Sequence, residues 1–307
     1  MAAHAFDLMM LLDAPGVGPS RVRKLLKRWR EMPELPVTEG RLMDGVLTPA
    51  QIAALPECRD RVKRHWDDLL KHNVRAISII DAQYPTGLRN ALGESTPVLL
   101  LCLGNLELLN SLSVGFCGSR EASEKGLATA RDSATLLSNE KINIVSGFAA
   151  GVDMIAHRAA LVAGGTTTVV LAEGILRFRV KKDIRDVWDE GRTLVVSEFG
   201  PHLPWSVSHA MQRNKTICGL SRAMVLIEAR SAGGSIEAGR ECLKMGLPLF
   251  AAVYEGSPES ATGNEELLRN GAERLMKSRS RDLPNINPIL ESLAKLPAGN
   301  NVQSQIF

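Results

Sequence analysis

The sequence has few cysteines and aromatic residues, and it lacks any long apolar run. Its five cysteines are widely separated and form no Cys-x-x-Cys pair, which argues against a disulfide framework and against a zinc site. No apolar stretch reaches the roughly 20 residues that a membrane-spanning helix needs. The short apolar start lacks the basic residues and the cleavage site of a signal peptide. We therefore expect a cytoplasmic protein with buried free thiols, no bound metal and no membrane contact.

The chain also lacks a strong excess of charge of either sign. Its 37 lysines and arginines nearly balance 34 aspartates and glutamates, which gives a formal net charge of +3. A nucleic-acid site would therefore have to be a local basic patch. The length of 307 residues and the hydrophobic fraction of 45% are those of an ordinary globular protein with room for two domains.

Residues 1–72 are predicted to form a small helical domain. A turn rich in glycine and proline at residues 14–19 precedes a basic helix over 20–30 with Ser20 as its N-cap, and a second helix is predicted over 59–70. The turn resembles the hairpin of a helix-hairpin-helix (SAM-like) module, in which glycines let backbone N–H groups approach a phosphate. A helix-turn-helix with a solvated basic face fits these residues equally well.

Residues 73–282 show a different pattern, in which short apolar runs alternate with helical segments. The apolar runs lie at residues 74–80, 97–104, 114–117, 142–145, 167–171, 194–196, 223–227 and 249–253, and the main helices are predicted over 121–137, 153–163 and 235–245. This rhythm predicts an α/β fold, an extended Rossmann-like doubly wound parallel sheet. Residues 283–307 are expected to form a short tail with a helix over 289–296 and poor order over 298–307.

Ligands bind such sheets at the carboxyl ends of the strands, where loops lead into helices. The first loop of interest is Gly118-Ser119-Arg120. Glycine permits close approach, the helix N-terminus supplies N–H groups, and arginine can donate two hydrogen bonds to a phosphate. We predict phosphate binding here, with a plain turn carrying an exposed arginine as the alternative.

A second loop, residues 146–153, has Gly147 and Gly151 around small residues. Its spacing is not that of GxGxxG, so it does not support a nicotinamide cofactor. We expect tight backbone packing near the ligand, with Asp153 capping the following helix. Asp153 and His157 are one helical turn apart, and a structural hydrogen bond suits them better than an acid–base or metal role.

Two further segments have the composition of anion sites. Gln212-Arg213-Asn214-Lys215 places two cations around an asparagine, although a solvated helix face fits equally well. Gly233-Gly234-Ser235 would form an anion nest with Ser235 as N-cap, and the missing GK[ST] sequence argues against ATP hydrolysis. If Arg120, Arg213 and Lys215 converge at one sheet edge, they would bind a phosphodiester backbone.

Other side chains near this edge are candidates for contacts with sugars and bases. Glu198 and Glu228 end strands there, and Phe148, Phe199 and Trp205 are candidates for base stacking, although core packing is the commoner fate of aromatic residues. No nucleophile, base and orienting group occur together in a pattern typical of an enzyme. We therefore predict a binding protein with no catalytic residue, no metal and no cofactor.

Several motifs, taken in order along residues 8–276, resemble those of the DNA processing protein A (DprA/Smf) family. The motifs that carry the resemblance are Gly118-Ser119-Arg120, residues 145–153 with His157, Ser197-Glu198, Arg213-Asn214-Lys215 with Gly219-Leu220-Ser221, Gly233-Gly234-Ser235, Gly263-Asn264 and Asn270-Gly271-Ala272. The resemblance implies single-stranded DNA binding, homodimerisation and loading of a RecA-type recombinase. By motif position it implies DNA contacts from Ser119, Arg120, Arg213 and Lys215 and from the loop around 233–235.

The chain departs from the family pattern at several places. The family usually has Phe-Pro just before Arg-Asn-Arg, whereas Ala210-Met211 stand here and the third position is Lys215, which keeps the charge without the planar fork. An aromatic platform for base stacking is therefore missing at Ala210. Residues 175–182 replace a Tyr-Pro stretch, and the tail is expected to be too short for the C-terminal winged helix of many members.

Two other functions stay open at this point. A divergent member of the family would also fit as an antitoxin or sensor subunit of a phage-defence toxin–antitoxin system, controlling a toxic effector protein. A related group of nucleotide phosphoribohydrolases uses a PGGxGTxxE motif, of which only the start matches Gly233-Gly234. Enzyme activity is therefore the weaker prediction.

Overall fold

The computed structural model describes residues 2–254, 259–278 and 282–295. The N-terminal helices are α1 (Ala2–Asp13), α2 (Pro19–Trp29), α3 (Gly40–Met43) and α4 (Pro49–Lys71). The strands are β1 (Arg75–Ser78), β2 (Leu99–Gly104), β3 (Ser113–Cys117), β4 (Asn143–Ser146), β5 (Thr167–Val170), β6 (Thr193–Ser197), β7 (Ala223–Leu226), β8 (Leu249–Ala252) and β9 (Glu273–Leu275). The remaining helices are α5 (Thr86–Leu92), α6 (Glu124–Asn139), α7 (Val152–Val162), α8 (Val207–Leu220), α9 (Gly234–Lys244), α10 (Thr262–Arg269) and α11 (Asn287–Lys295).

Within the described residues, nine strands form one sheet in the order β1-β2-β6-β5-β4-β3-β7-β8-β9. The strands from β3 to β9 pair in parallel, which confirms the α/β, Rossmann-like fold. β1 and β2 add an antiparallel edge, because β2 pairs antiparallel with both β1 and β6. The helix between them, α5, has seven residues and packs against α8, so it does not act as a crossover on the sheet.

The strand order reverses between β3 and β7. From β3 the chain adds β4, β5 and β6 on one side, and it then places β7, β8 and β9 on the other side. The loops after β3 and β7 therefore lead away in opposite directions and leave a crevice at the carboxyl ends of these strands. The predicted anion-binding loops at 118–120, 147–151 and 233–235 all follow strands at this place in the sheet.

Helices cover both faces of the sheet. On one face α6 and α7 bury small side chains such as Ala134 and Ala160, which lets these helices approach each other closely. α11 covers the same core with Ile289 and Leu293, which confirms the helix predicted in the tail. The predicted poor order of residues 298–307 lies outside the described residues.

The N-terminal helices share a hydrophobic core with the sheet on its other face. Leu8 and Leu11 of α1 are fully buried in the same cluster as Ile77 of β1 and Leu100 of β2. The predicted boundary between residues 1–72 and 73–282 falls between α4 and β1, and the division into domains stays a prediction. The N-terminal helices are packed against the sheet edge rather than held by a linker.

Two N-terminal helices begin differently from the prediction. α2 has Gly18 as its N-cap, so the N-cap prediction for Ser20 is wrong. α4 begins well before its predicted start, because the side chain of Thr48 and that of Gln51 form a capping box around its first turn. Pro56 lies inside this helix, and a proline at that position normally indicates a helix break. The spacing of Thr48 and Gln51, typical of a capping box, was a sequence signal that could have identified this start.

Candidate nucleic-acid interface

A cleft of about 370 Å³ opens at the carboxyl ends of β3 and β7, where the strand order reverses. Its walls come from the loop after β3, from α8, and from the loop and first turn of α9. The predicted site residues that line it are Gly118, Ser119, Arg120, Arg213, Asn214, Gly234 and Ser235. The other predicted site residues, Gly147, Gly151, Lys215 and Gly233, are not part of this lining. The fold therefore gathers most of the predicted segments into one site.

The loop after β3 forms one wall of the cleft. The Ser119 Oγ accepts a hydrogen bond from the N–H of Glu121 at 3.1 Å, which closes a tight turn before α6. A Cβ at Gly118 would lie 2.6 Å from a side-chain atom of α7, so glycine lets the loop pack against that helix. Arg120 is exposed, and its guanidinium carbon lies 5.8 Å from the centre of the Trp205 ring. This wall thus presents an exposed cation, as the sequence predicts.

Gly151 supports this loop from behind. It is the N-cap of α7 at φ +76° and ψ −128°, a conformation that essentially only glycine adopts at low cost. A Cβ at this position would lie 2.6 Å from the carbonyl oxygen of Arg120 and would overlap the carbonyl oxygen of Ser119. The N–H of Val152 donates to the Ser119 carbonyl at 3.3 Å. Gly151 therefore packs tightly near the site, as expected, and it positions the loop without lining the cleft.

Arg213 lies on the floor of the cleft and is only 8% exposed. Its Nη1 is 3.9 Å from the Asp153 Oδ2. A Cβ at Gly147 would overlap the same Nη1, so glycine at that position makes room for the guanidinium. Burial lowers the pKa of Arg213, and the charge of Asp153 opposes that shift. Arg213 is thus a mostly buried cation that is held by one carboxylate and lines the cleft with its remaining surface.

The predicted contacts of Asp153 and His157 are wrong. α7 has no side-chain cap, and the Asp153 Oδ2 accepts a hydrogen bond from the Ala149 N–H at 3.3 Å besides pairing with Arg213. His157 is fully buried and bonds instead to the Thr167 hydroxyl at 2.6 Å and to the Gly147 carbonyl. Its role is nevertheless structural, as expected, since it ties β5 to the glycine loop.

The stability of the protein is expected to fall at mildly acidic pH because of His157. Burial lowers the pKa of this ring, so the unfolded chain takes up a proton below its usual pKa of about 6.5 while the folded protein does not. The free energy of unfolding should therefore drop by roughly 1.4 kcal/mol per pH unit from that value down to the lower pKa of the folded protein. Urea unfolding of the wild type and of His157→Gln at several pH values checks this. Parallel pH dependence of the two proteins would contradict it.

The segment 212–215 is part of α8, as the alternative of a helix face predicts, so its side chains point in different directions. The Asn214 amide donates to the Gly234 carbonyl at 3.3 Å and joins α8 to the start of α9. Lys215 lies on another face of the helix, where its Nζ is 3.7 Å from Glu241 Oε1 of α9. Of the three cations predicted to converge, Arg120 and Arg213 therefore line the cleft and Lys215 does not.

The start of α9 forms the opposite wall. Its N-cap is Gly233 at φ +114°, so the N-cap prediction for Ser235 is wrong, and Ser235 lies in the first turn. No side chain caps this end, so the free N–H groups of the first turn and the positive end of the helix dipole lie at the cleft. Gly233 therefore contributes to the cleft indirectly, because its positive φ allows the turn that begins α9.

The sequence analysis missed Arg230, which also lines the cleft. Its Nη2 is 3.0 Å from Glu121 Oε2, and both side chains are largely exposed. This pair joins the loop after β7 to the loop after β3. The signal in the sequence was the position of Arg230 just beyond a buried strand, in the same kind of loop as Arg120. An exposed pair of this kind is weak, so an anion can replace the glutamate at little cost.

The segment 175–182, which departs from the family pattern, braces the glycine loop from outside. The Phe178 ring lies 5.3 Å from that of Phe148, measured between ring centres. The Lys181 Nζ lies 4.7 Å above the centre of the Phe148 ring and donates to the Phe148 carbonyl. Burial lowers the pKa of Lys181. Phe148 is thus packed in an aromatic cluster and is not a stacking platform.

Three other residues expected at the ligand do not line the cleft: Phe199, Glu228 and Glu198. Phe199 is buried. Glu228 is also buried and accepts hydrogen bonds from Ser123 and Ser260. Glu198 accepts bonds at 2.6 Å from both Thr216 and Gln212, and burial raises its pKa. Both carboxylates are therefore engaged by side chains of the protein, and neither is part of the cleft lining.

Within the described ranges, no three or more His, Cys, Asp or Glu side chains are grouped so that they could hold a metal ion. None of the described helices combines the length and the apolar character that a membrane crossing needs. All five cysteines are buried and free, as expected.

Residues 75–283 match the model of the family described as DNA recombination-mediator protein A. The DNA processing protein DprA of Streptococcus pneumoniae is 34% identical over 200 residues, which cover 64% of this chain and 70% of that protein. The X-ray structure of DprA from the same species matches with a TM-score of 0.75 at 28% identity, over 88% of this chain and 94% of the other. A structure of DNA processing protein A from Helicobacter pylori, described for its single-stranded DNA binding mode, matches with a TM-score of 0.57 at 25% identity, over 72% and 96% of the two chains.

Proposed function

This chain belongs to the DNA recombination-mediator protein A family, and from that premise we propose that it binds single-stranded DNA in the cleft between β3 and β7 and acts in DNA processing. The observation that carries the proposal is the cleft itself. Two exposed arginines, Arg120 and Arg230, face the uncapped start of α9 where the strand order reverses. Cationic side chains and helix N–H groups suit the phosphates of a nucleic-acid backbone.

The charges in the cleft favour a strand that is held at several phosphates. Asp153 neutralises Arg213, and Glu121 neutralises Arg230 in the absence of a ligand. Among the described residues, Arg120 contacts the Trp205 ring and pairs with no carboxylate, so it is the first cation that a phosphate meets. A phosphate then displaces Glu121 from Arg230, because exposed ion pairs contribute little. The binding free energy is expected to be largely electrostatic and strongly dependent on salt.

The direct test is fluorescence anisotropy of labelled oligo-dT at several salt concentrations. We expect Arg120→Ala to weaken binding about tenfold and to lower the salt slope by about 1, for every sequence tested. Lys244→Ala is the matched control, because this exposed lysine is the last residue of α9, whose first turn lines the cleft. Equal affinities and slopes for Arg120→Ala and Lys244→Ala would show that DNA does not use this cleft.

Lys215→Ala should change DNA binding much less than Arg120→Ala does, although the family motif places Lys215 among the DNA contacts. Its ammonium group faces Glu241 and lies outside the cleft lining. We expect an affinity within about twofold of the wild type and an unchanged salt slope. The same anisotropy titration measures it, and a loss as large as that of Arg120→Ala would mean that DNA also crosses the groove between α8 and α9.

The pathway and the partners belong to the same proposal. We propose that the protein works in the cytoplasm as a homodimer and delivers single-stranded DNA to a RecA-type recombinase. The names of the relatives described above refer to DNA processing and DNA binding, which supports a binding protein over a phosphoribohydrolase. They give no support to the antitoxin alternative. Release of ribose phosphate from purine monophosphates by the purified protein would overturn the assignment as a binding protein.

A further inference from the structure

Trp205 differs from the other tryptophans of the chain in its surroundings. Trp29, Trp66 and Trp188 pack against the hydrophobic core, whereas Trp205 belongs to no core cluster of the described residues and is 47% exposed. It lies immediately before Ser206, the N-cap of α8, whose hydroxyl accepts a bond from the His209 N–H at 3.1 Å. The cap fixes the backbone on one side of the ring, so the exposed indole is presented from a defined position.

The ring lies beside the exposed cation of the cleft. The Arg120 guanidinium carbon is 5.8 Å from the centre of the Trp205 ring, within the range of a cation–π contact. Val207 and Met211, one helical turn apart on α8, are 68% and 36% exposed, and Met211 lines the cleft. Trp205, Val207 and Met211 thus place a patch of exposed apolar side chains beside a cleft whose lining includes three arginines and the start of α9.

We infer that this patch is the base-binding side of the site, with Trp205 as the platform on which a nucleobase stacks. The inference rests on the proposed function, since it assumes that a DNA strand occupies the cleft. Each nucleotide offers an anionic phosphate on one side and a flat aromatic face on the other. Arg120 would bind the phosphate and Trp205 would stack on the base. The contact between the two side chains keeps them close enough to bind one nucleotide. Val207 and Met211 cover the edge of the stacked base.

The patch suits a nucleobase better than a protein side chain because of what surrounds it. A protein that docked on Trp205 would also cover Arg120 and the cleft, and it would need to supply anions there. A nucleotide carries both groups in one residue. Stacking on an aromatic side chain is tolerant of sequence, since every base has a π face, but it requires an unpaired base. Trp205 therefore also favours single strands over duplexes.

The test compares oligo-dT with an abasic oligonucleotide of equal length and charge. We expect Trp205→Leu to lose about tenfold in affinity for oligo-dT, with the salt slope unchanged, and to bind the abasic strand like the wild type. Trp205→Phe keeps a ring and should retain most of the affinity. Oligo-dT should quench the tryptophan emission of the wild type and of Trp188→Phe but not that of Trp205→Phe.

The outcomes separate the inference from the proposed function. If the wild type binds neither oligonucleotide, both are wrong. If the wild type binds oligo-dT and Trp205→Leu binds it equally well, the DNA site stands and the stacking role is overturned, which leaves the patch to a protein partner. If Trp205→Leu loses the same factor on the abasic strand, the ring acts only by positioning Arg120, and the inference is overturned as well.

Discussion

Gly151→Ala is expected to destabilise the fold by roughly 4 kcal/mol and to abolish DNA binding, since backbone strain and overpacking each cost about 1–3 kcal/mol. Two effects add at this position. The backbone at Gly151 adopts φ +76°, a conformation that is strained for any residue with a Cβ. The new Cβ would also collide with the carbonyl oxygens of Ser119 and Arg120. These are main-chain atoms, so the collision can be relieved only by moving the loop that carries the exposed cation.

The protein offers a matched control in Gly164, which has φ +75° and no atom within 4 Å of an added Cβ. Gly164→Ala should cost only the strain of the positive φ, about 1–2 kcal/mol, and should bind oligo-dT like the wild type. Urea unfolding and anisotropy on both variants measure the difference. Equal losses of stability in the two variants would show that the contact between Gly151 and the loop contributes nothing.

Arg213→Ala is expected to destabilise the fold by roughly 3 kcal/mol, because it leaves the Asp153 carboxylate buried without its partner. The salt bridge measures 3.9 Å, and both side chains are only 10% exposed. The guanidinium also fills the space beside Gly147, so the variant opens a cavity under the cleft. Loss of DNA binding in this single variant would therefore mix an effect on the fold with an effect on the ligand.

The double variant Arg213→Met with Asp153→Asn separates the two effects. Methionine fills most of the space, and asparagine keeps the acceptor for the Ala149 N–H without a buried charge. We expect this variant to regain most of the stability measured by urea unfolding while its affinity for oligo-dT stays about tenfold below the wild type. Wild-type affinity in the stable double variant would mean that Arg213 serves only the fold.

The strand-end loops illustrate how far the sequence alone leads. Short apolar runs separated by helical patterns predicted the α/β fold, and the glycines and cations after three of these runs predicted the site. The strand order places those three loops together, because β3 lies between β4 and β7 in the sheet. A pattern along the chain carries no information about which strands are neighbours. Arg230 was therefore missed, because its only signal in the sequence is a lone arginine after a strand.

The segment 212–215 illustrates the opposite case. Arg213 and Lys215 are two positions apart, and the prediction that both contact a phosphodiester backbone required both side chains to face one ligand. In α8, residues two apart do not share a face, so Arg213 points to the cleft floor and Lys215 to Glu241. Recognition of the helix that begins with Ser206 as its cap would have separated them from the sequence.

The sequence by itself determined the fold class, the family and the loops from which the site is built, since these depend on local periodicity and on residue type. The tertiary structure alone decided which cations reach the cleft, which are neutralised by buried or exposed carboxylates, and why Gly147 and Gly151 must lack a side chain. It also decided that Trp205 stays outside the core beside Arg120 while Phe148 and Phe199 do not. Exposure and pairing depend on distances through space, and residues far apart in the chain set those distances.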